Sequence, residues 1–151
     1  MSYDSRVNTY EHIQQVRYYL LDVAKRLIHR SFEHDASKLQ SPERETFDEY
    51  TPKLRDSTYG SEEYKRFLAG MGDGLAHHYE VNDHHPEHFE DGIAGMNLLQ
   101  ITEMLCDWKA ATLRHADGDL GRSIEQNAER FGYGDEIKRL LSNTARDMGW
   151  L

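Results

Sequence analysis

The chain holds a single cysteine, Cys106, among its 151 residues. An intrachain disulfide is therefore excluded, and so is a Cys-rich zinc site. So little cysteine suits a reducing compartment. Basic residues are also short: 18 Lys and Arg stand against 27 Asp and Glu, a formal net charge of -9. That balance argues against duplex nucleic acid or an anionic membrane surface as partner, because both need clustered Lys and Arg. It leaves room for a small phosphorylated ligand, since a bound cation reverses the local field. Long apolar runs are missing as well. No stretch approaches the roughly 20 residues that span a bilayer, and the first thirty residues are polar and mixed in charge, unlike a secretory leader. These features lead us to expect a cytoplasmic protein. Finally, there is no alternating β pattern, no internal repeat and no low-complexity tract. The expectation is a single domain over residues 1–151, all-α, a compact bundle of about five to seven helices.

What is present is helical periodicity and histidine. Ile13, Val16, Leu20, Val23 or Ala24, and Leu27 recur at helical spacing and predict a helix over residues 9–30. Asn8 or Thr9 can cap its start, and His12 lies at the edge of its apolar face. Residues 31–40 interrupt the pattern. Ser41 and Pro42 then read as the N-cap and first position of a short helix ending near Tyr50, before Thr51-Pro52. Residues 53–61 read as a loop and 61–79 as a helix weakened by Gly70, Gly72 and Gly74. Residues 80–92 are a polar loop, 93–115 the most apolar helix, and 121–131 and 135–148 two final helices separated by Gly132-Tyr133-Gly134. The aromatic residues Phe131, Tyr133 and Trp150 could cover the protein's own core or a neighbouring copy in a homo-oligomer.

Of nine histidines, five lie between positions 77 and 88, as His77, His78, His84, His85 and His88. A loop with this many imidazoles, alongside Asn82 and Glu87, has few structural reasons to exist. His77 and His88 fit a solvated polar loop. His78, near a helix end, and His85, before a stiffening proline, could complete a metal shell or protonate a leaving group. On the apolar helix, Glu103 and Asp107 are four apart and project from one face. A buried carboxylate needs an Arg partner or a metal. His34-Asp35 places an imidazole beside a carboxylate, a pair able to ligate one cation. Lys38 follows three residues later, where it could meet a phosphate or simply be solvated.

Taken in order, His12, then His34-Asp35, then the His-rich segment, then Asp107 on a helix, the chain resembles the HD-domain superfamily of metal-dependent phosphohydrolases. Their pattern is H…HD…D, with extra histidines before the last D in many members. HDASK looks like the HD-x-x-K form, and AHHYEVNDHHPEHF resembles the His-rich segment of the HD-GYP subgroup, without a GYP triplet. This resemblance spans residues 12–107. A closer resemblance is to a family of uncharacterised bacterial and phage proteins that share HD-x-SK, an N-x-HHPE-like loop and an EM-x-x-DWK-A helix. All three are here as HDASK, NDHHPEH and EMLCDWKAA.

The HD resemblance implies His12, His34, Asp35 and Asp107 as metal ligands, with His78 and His85 as further ligands or groups behind them. The interval from His12 to His34 is short for the superfamily. Lys38 would bind substrate phosphate, with Asn82 and His85 beside it. Glu103 or Asp107 would accept the proton of water, and His78 or His85 would protonate the leaving oxygen. Such a nitrogen and oxygen ligand set suits one or two ions of Mn, Fe, Co, Ni or Zn. The implied substrate is a small phosphoester, a nucleoside mono- or triphosphate. Other readings of the same residues are a non-catalytic metal-binding regulatory module, a di-iron oxygenase on an HD-type scaffold, and a helical interaction protein.

Overall fold

The computed structural model describes residues 3–58, 60–114 and 118–151. These residues form seven α-helices and three short 3-10 turns, with no strand among them, so the all-α expectation holds. None of the described helices is long and apolar enough to cross a membrane. The chain divides into two compact units, Met1–His34 and Asp35–Leu151.

The first unit is one helix, α1 (Arg6–Glu33). It begins before the expected Asn8 or Thr9, with the Asp4 carboxylate accepting from the Arg6 backbone N–H at 3.1 Å. It also runs past residue 30, because nothing in Ser31-Phe32-Glu33 breaks a helix. The backbone N–H of His34, the residue after it, still donates to the Arg30 carbonyl at 2.8 Å.

The second unit opens with a 3-10 turn at Ala36–Leu39 and continues as α2 (Glu43–Arg55), α3 (Glu62–Gly70) and α4 (Gly72–Val81). α2 starts one residue later than expected, with Pro42 in the cap position. It also passes through Pro52, where a stop was expected. Pro52 lies in the last turn, where a helical φ is already met and only one backbone hydrogen bond is forfeited. The single helix expected over 61–79 is two. Ser61 caps α3 by accepting from the Tyr64 N–H at 3.1 Å. Gly72, at φ 48°, then takes a left-handed conformation that separates α3 from α4. α4 carries the helix into the segment expected to be loop, as far as Val81.

Two 3-10 turns, Pro86–His88 and Gly92–Gly95, lead to α5 (Leu98–Thr112), followed by α6 (Leu120–Phe131) and α7 (Asp135–Asp147). Residue 115, at the end of the expected apolar helix, lies outside the described residues. The start of α5 is held by a reciprocal cap: Asn97 Oδ1 accepts from the Leu99 and Gln100 N–H groups, and Gln100 Oε1 accepts from the Asn97 N–H at 2.8 Å. Gly132 ends α6 at φ 68°. Ile93, Ile101, Met104, Leu105, Leu120, Ile124 and Leu141 form the core between α5, α6 and α7, with Trp108, Phe131, Tyr133 and Trp150 packed against it. The aromatic residues thus cover the protein's own core. Tyr133 also donates its hydroxyl to the Ile124 carbonyl at 2.6 Å.

α2 packs on α4, and a glycine sets how closely. A Cβ on Gly74 would collide with the Thr46 side chain. Alanine in a helix interior ordinarily gains about 1 kcal/mol over glycine. Here we expect Gly74→Ala to lose about 1–3 kcal/mol through overpacking. Urea unfolding would show a lower midpoint with unchanged slope; an unchanged or raised midpoint would contradict this packing.

Candidate metal centre

The centre is assembled from three pieces of the second unit: the turn at Asp35, the end of α4, and the loop that follows it. Asp35 takes φ 57°, a left-handed conformation that aspartate tolerates better than most residues. Its two oxygens are used differently. Oδ2 accepts from Lys38 Nζ at 2.6 Å, while Oδ1 lies 3.5 Å from both His78 Nε2 and His84 Nε2.

His78 sits in the last turn of α4 and is 1% exposed; His84 is 2% exposed. The chain leaves α4 at Asn82, whose side-chain amide donates to the His78 carbonyl at 2.9 Å and to Ser37 Oγ at 2.8 Å. Asp83 accepts from Gln100 Nε2 at 2.7 Å, which fastens the loop to the first turn of α5. Glu87 accepts from Arg130 of α6 at 2.6 Å. Held at these points, the loop brings His84 and His85 beside His78. The His84 and His85 rings are 4.2 Å apart, and His78 Nε2 is 2.9 Å from His85 Nε2.

One donor atom from each of Asp35, His78, His84 and His85 lies within 4.8 Å of the other three. α5 contributes from a second side. Glu103 Oε1 is 3.2 Å from His84 Nδ1, and a carboxylate oxygen of Asp107 lies within 4.8 Å of one on Asp35. Burial first, then the neighbouring His84 and His78, push the pKa of His85 down to about 3. That of His78 is also lowered, by burial first and then by the charge on Lys38. Both imidazoles are thus neutral near pH 7, with a lone pair each to offer. Buried imidazoles gathered beside a carboxylate oxygen are a group that could hold a metal ion.

Behind His78 lies a fully buried carboxylate, Glu43, at 0% exposure. It accepts from His77 at Oε1 (2.7 Å), and from His78 Nδ1 (2.8 Å) and Ser37 Oγ (2.9 Å) at Oε2. Burial alone would push its carboxyl up, but these three hydrogen bonds outweigh it and hold the group below its ordinary value.

Of the residues singled out from sequence, the structure brings Asp35, His78, His85, Asp107, Glu103 and Lys38 into this region. Asn82 is there too, with its amide spent on Ser37 and the His78 carbonyl rather than presented to a ligand. His12 is exposed on α1, and no group of potential ligands among the described residues includes it. His34 closes the first unit as the residue that follows α1, directly before Asp35 in the chain. His77 is spent on Glu43, and His88 lies against the Tyr79 carbonyl at 3.0 Å. Sequence reasoning missed two residues. His84 was visible within the His-rich loop, but the choice between adjacent histidines depends on backbone angles that periodicity does not supply. Glu43 had no signal, because a glutamate in the first turn of a helix reads as an exposed partner of the helix dipole.

No curated protein and no solved structure matches the chain. A family model does, over residues 1–148, and its description is a family of unknown function, DUF5662. Since that match takes in all but the last three residues of the 151, the chain belongs to the DUF5662 family.

Proposed function

We propose that this chain is a metal-dependent phosphohydrolase acting on a small phosphoester, with a nucleoside mono- or triphosphate as the favoured substrate class. The observation that carries the reading is the approach of His78 Nε2 and His84 Nε2, two almost wholly buried imidazoles, to Asp35 Oδ1 at 3.5 Å, with His85 Nε2 2.9 Å from His78 Nε2. Asp35, His78, His84 and His85 would hold the ion, with Asp107 beside them. The donors suit Mn, Fe, Co, Ni or Zn. The reaction class and the nucleotide come from the HD resemblance, of which Asp35, Lys38 and Asp107 lie in this region.

A divalent cation bound here supplies a water of lowered pKa and neutralises charge on a phosphoryl group. The remaining work falls to the chain's own side chains. Lys38, held by Asp35 and lying 4.7 Å over the Phe47 ring, is a fixed positive charge for a phosphate oxygen. Glu103 and Asp107 are the carboxylates placed to accept a proton from water. His78 and His85 fit ligation better than proton donation, because burial disfavours their charged forms. The overall negative charge of the chain does not oppose the reading, since a bound cation, with Lys38, would offer a phosphate positive charge locally.

Two outcomes are expected. Protein loaded with manganese or zinc should carry stoichiometric metal by elemental analysis. Asp35→Asn and His84→Ala should each weaken that binding by about tenfold or more; wild-type metal content in both variants would place the site elsewhere. Second, phosphate release from a panel of nucleoside phosphates should require added metal, stop with chelator, and be lost in Asp35→Asn. A panel with metal bound but no metal-stimulated release would favour a regulatory module over an enzyme.

A further inference from the structure

Hydrogen-bond bookkeeping behind the metal centre assigns a role to Glu43. The Asn82 amide has two N–H groups, and they go to Ser37 Oγ at 2.8 Å and the His78 carbonyl at 2.9 Å. Ser37 accepts from Asn82 and therefore turns its own O–H to Glu43 Oε2 at 2.9 Å. Glu43, ionised, has no proton to give and can only accept. His78 Nδ1, 2.8 Å from that same Oε2, must then be the donor. Asn82 Nδ2 also lies 3.0 Å from His78 Nδ1, but both of its hydrogens are already spent. The imidazole is thus left with its proton on Nδ1 and its lone pair on Nε2. Nε2 is the nitrogen that faces His85 Nε2 at 2.9 Å and Asp35 Oδ1 at 3.5 Å.

We propose that Glu43 is a positioning residue: it fixes His78 in the Nδ1–H tautomer, so that Nε2 is presented as a ligand to the centre formed with Asp35, His84 and His85. A carboxylate behind a ligating imidazole sets its tautomer and ring orientation and raises its basicity. The geometry also says what happens without it. If the acceptor at position 43 is removed, Asn82 Nδ2, 3.0 Å away, is a donor able to turn onto His78 Nδ1. The proton then moves to Nε2 and occupies the position a metal needs. His77, held by the other oxygen of Glu43, is half-exposed and can meet water instead.

The test reads the tautomer directly and metal affinity separately. Long-range proton–nitrogen correlation spectra of the metal-free protein should show His78 with its proton on Nδ1 and a bare Nε2. Glu43→Met, which keeps similar bulk but offers no acceptor, should move the proton to Nε2. It should also weaken manganese or zinc binding by about 10–100-fold. Glu43→Gln, able to turn its carbonyl toward His78, should keep the wild-type tautomer and recover part of the affinity. Wild-type spectra with the proton on Nε2 would overturn the proposal even if Glu43→Met failed to fold. So would a Glu43→Met protein with wild-type tautomer or wild-type affinity. The affinity arm rests on the metal-centre reading and the tautomer arm does not: if wild-type protein binds no metal, that reading fails while the spectra still decide the role of Glu43.

Discussion

A carboxylate buried with no solvent contact is costly unless every lone pair facing the interior is used. Glu43 meets that requirement with donors from Ser37, His77 and His78, and the local architecture follows from it. The bonds need the start of α2 against the second half of α4, and Gly74 permits the packing of these helices by offering no side chain to Thr46. They need the 3-10 turn after Asp35, which carries Ser37. They also need Asn82 to close α4 over Ser37, and this aims the next residues, His84 and His85, at the centre. One buried charge therefore couples the turn that carries Asp35, the helix that carries His78 and the loop that carries the other two imidazoles.

The other wall is ordinary helix packing. α5 is capped reciprocally by Asn97 and Gln100, and Gln100 extends the cap to Asp83. The residue that starts the helix thus also holds the His-rich loop against it. Behind α5 the apolar contacts with α6 and α7, and the Trp108–Phe131 stack at 6.4 Å, give Glu103 and Asp107 a rigid base. Side chains on fixed helices are held with little positional error, as a functional constellation requires.

Much of this was legible in the sequence where one strong local signal sufficed. α6 and α7 lie within a residue of their expected limits because their apolar faces are sharp and Gly132 terminates the first of them. Asp35, His78, His85 and Asp107 stood out because an HD pair, a dense His loop and a carboxylate on an apolar helix each break the expected composition of their element. What was hidden depended on backbone angles or on distant partners. Gly72 divides one expected helix by adopting a left-handed φ, and Pro52 fails to end α2 because it falls in the last turn. His84 lacks the following proline that singled out His85, and only the loop's path decides that both lie beside His78. Glu43 acquires its meaning from residues 34 and 35 positions further along the chain, a separation at which no periodicity survives.

The account turns on whether three imidazoles and the Asp35 carboxylate share one cation. X-ray absorption spectroscopy of the zinc- or manganese-loaded protein addresses this without reference to any substrate. Shared ligation predicts a first shell of nitrogen and oxygen only, with about 2.0–2.2 Å bonds for zinc, and outer-shell scattering from three histidine rings. A shell without imidazole scattering, or a protein that takes up no metal, would contradict it.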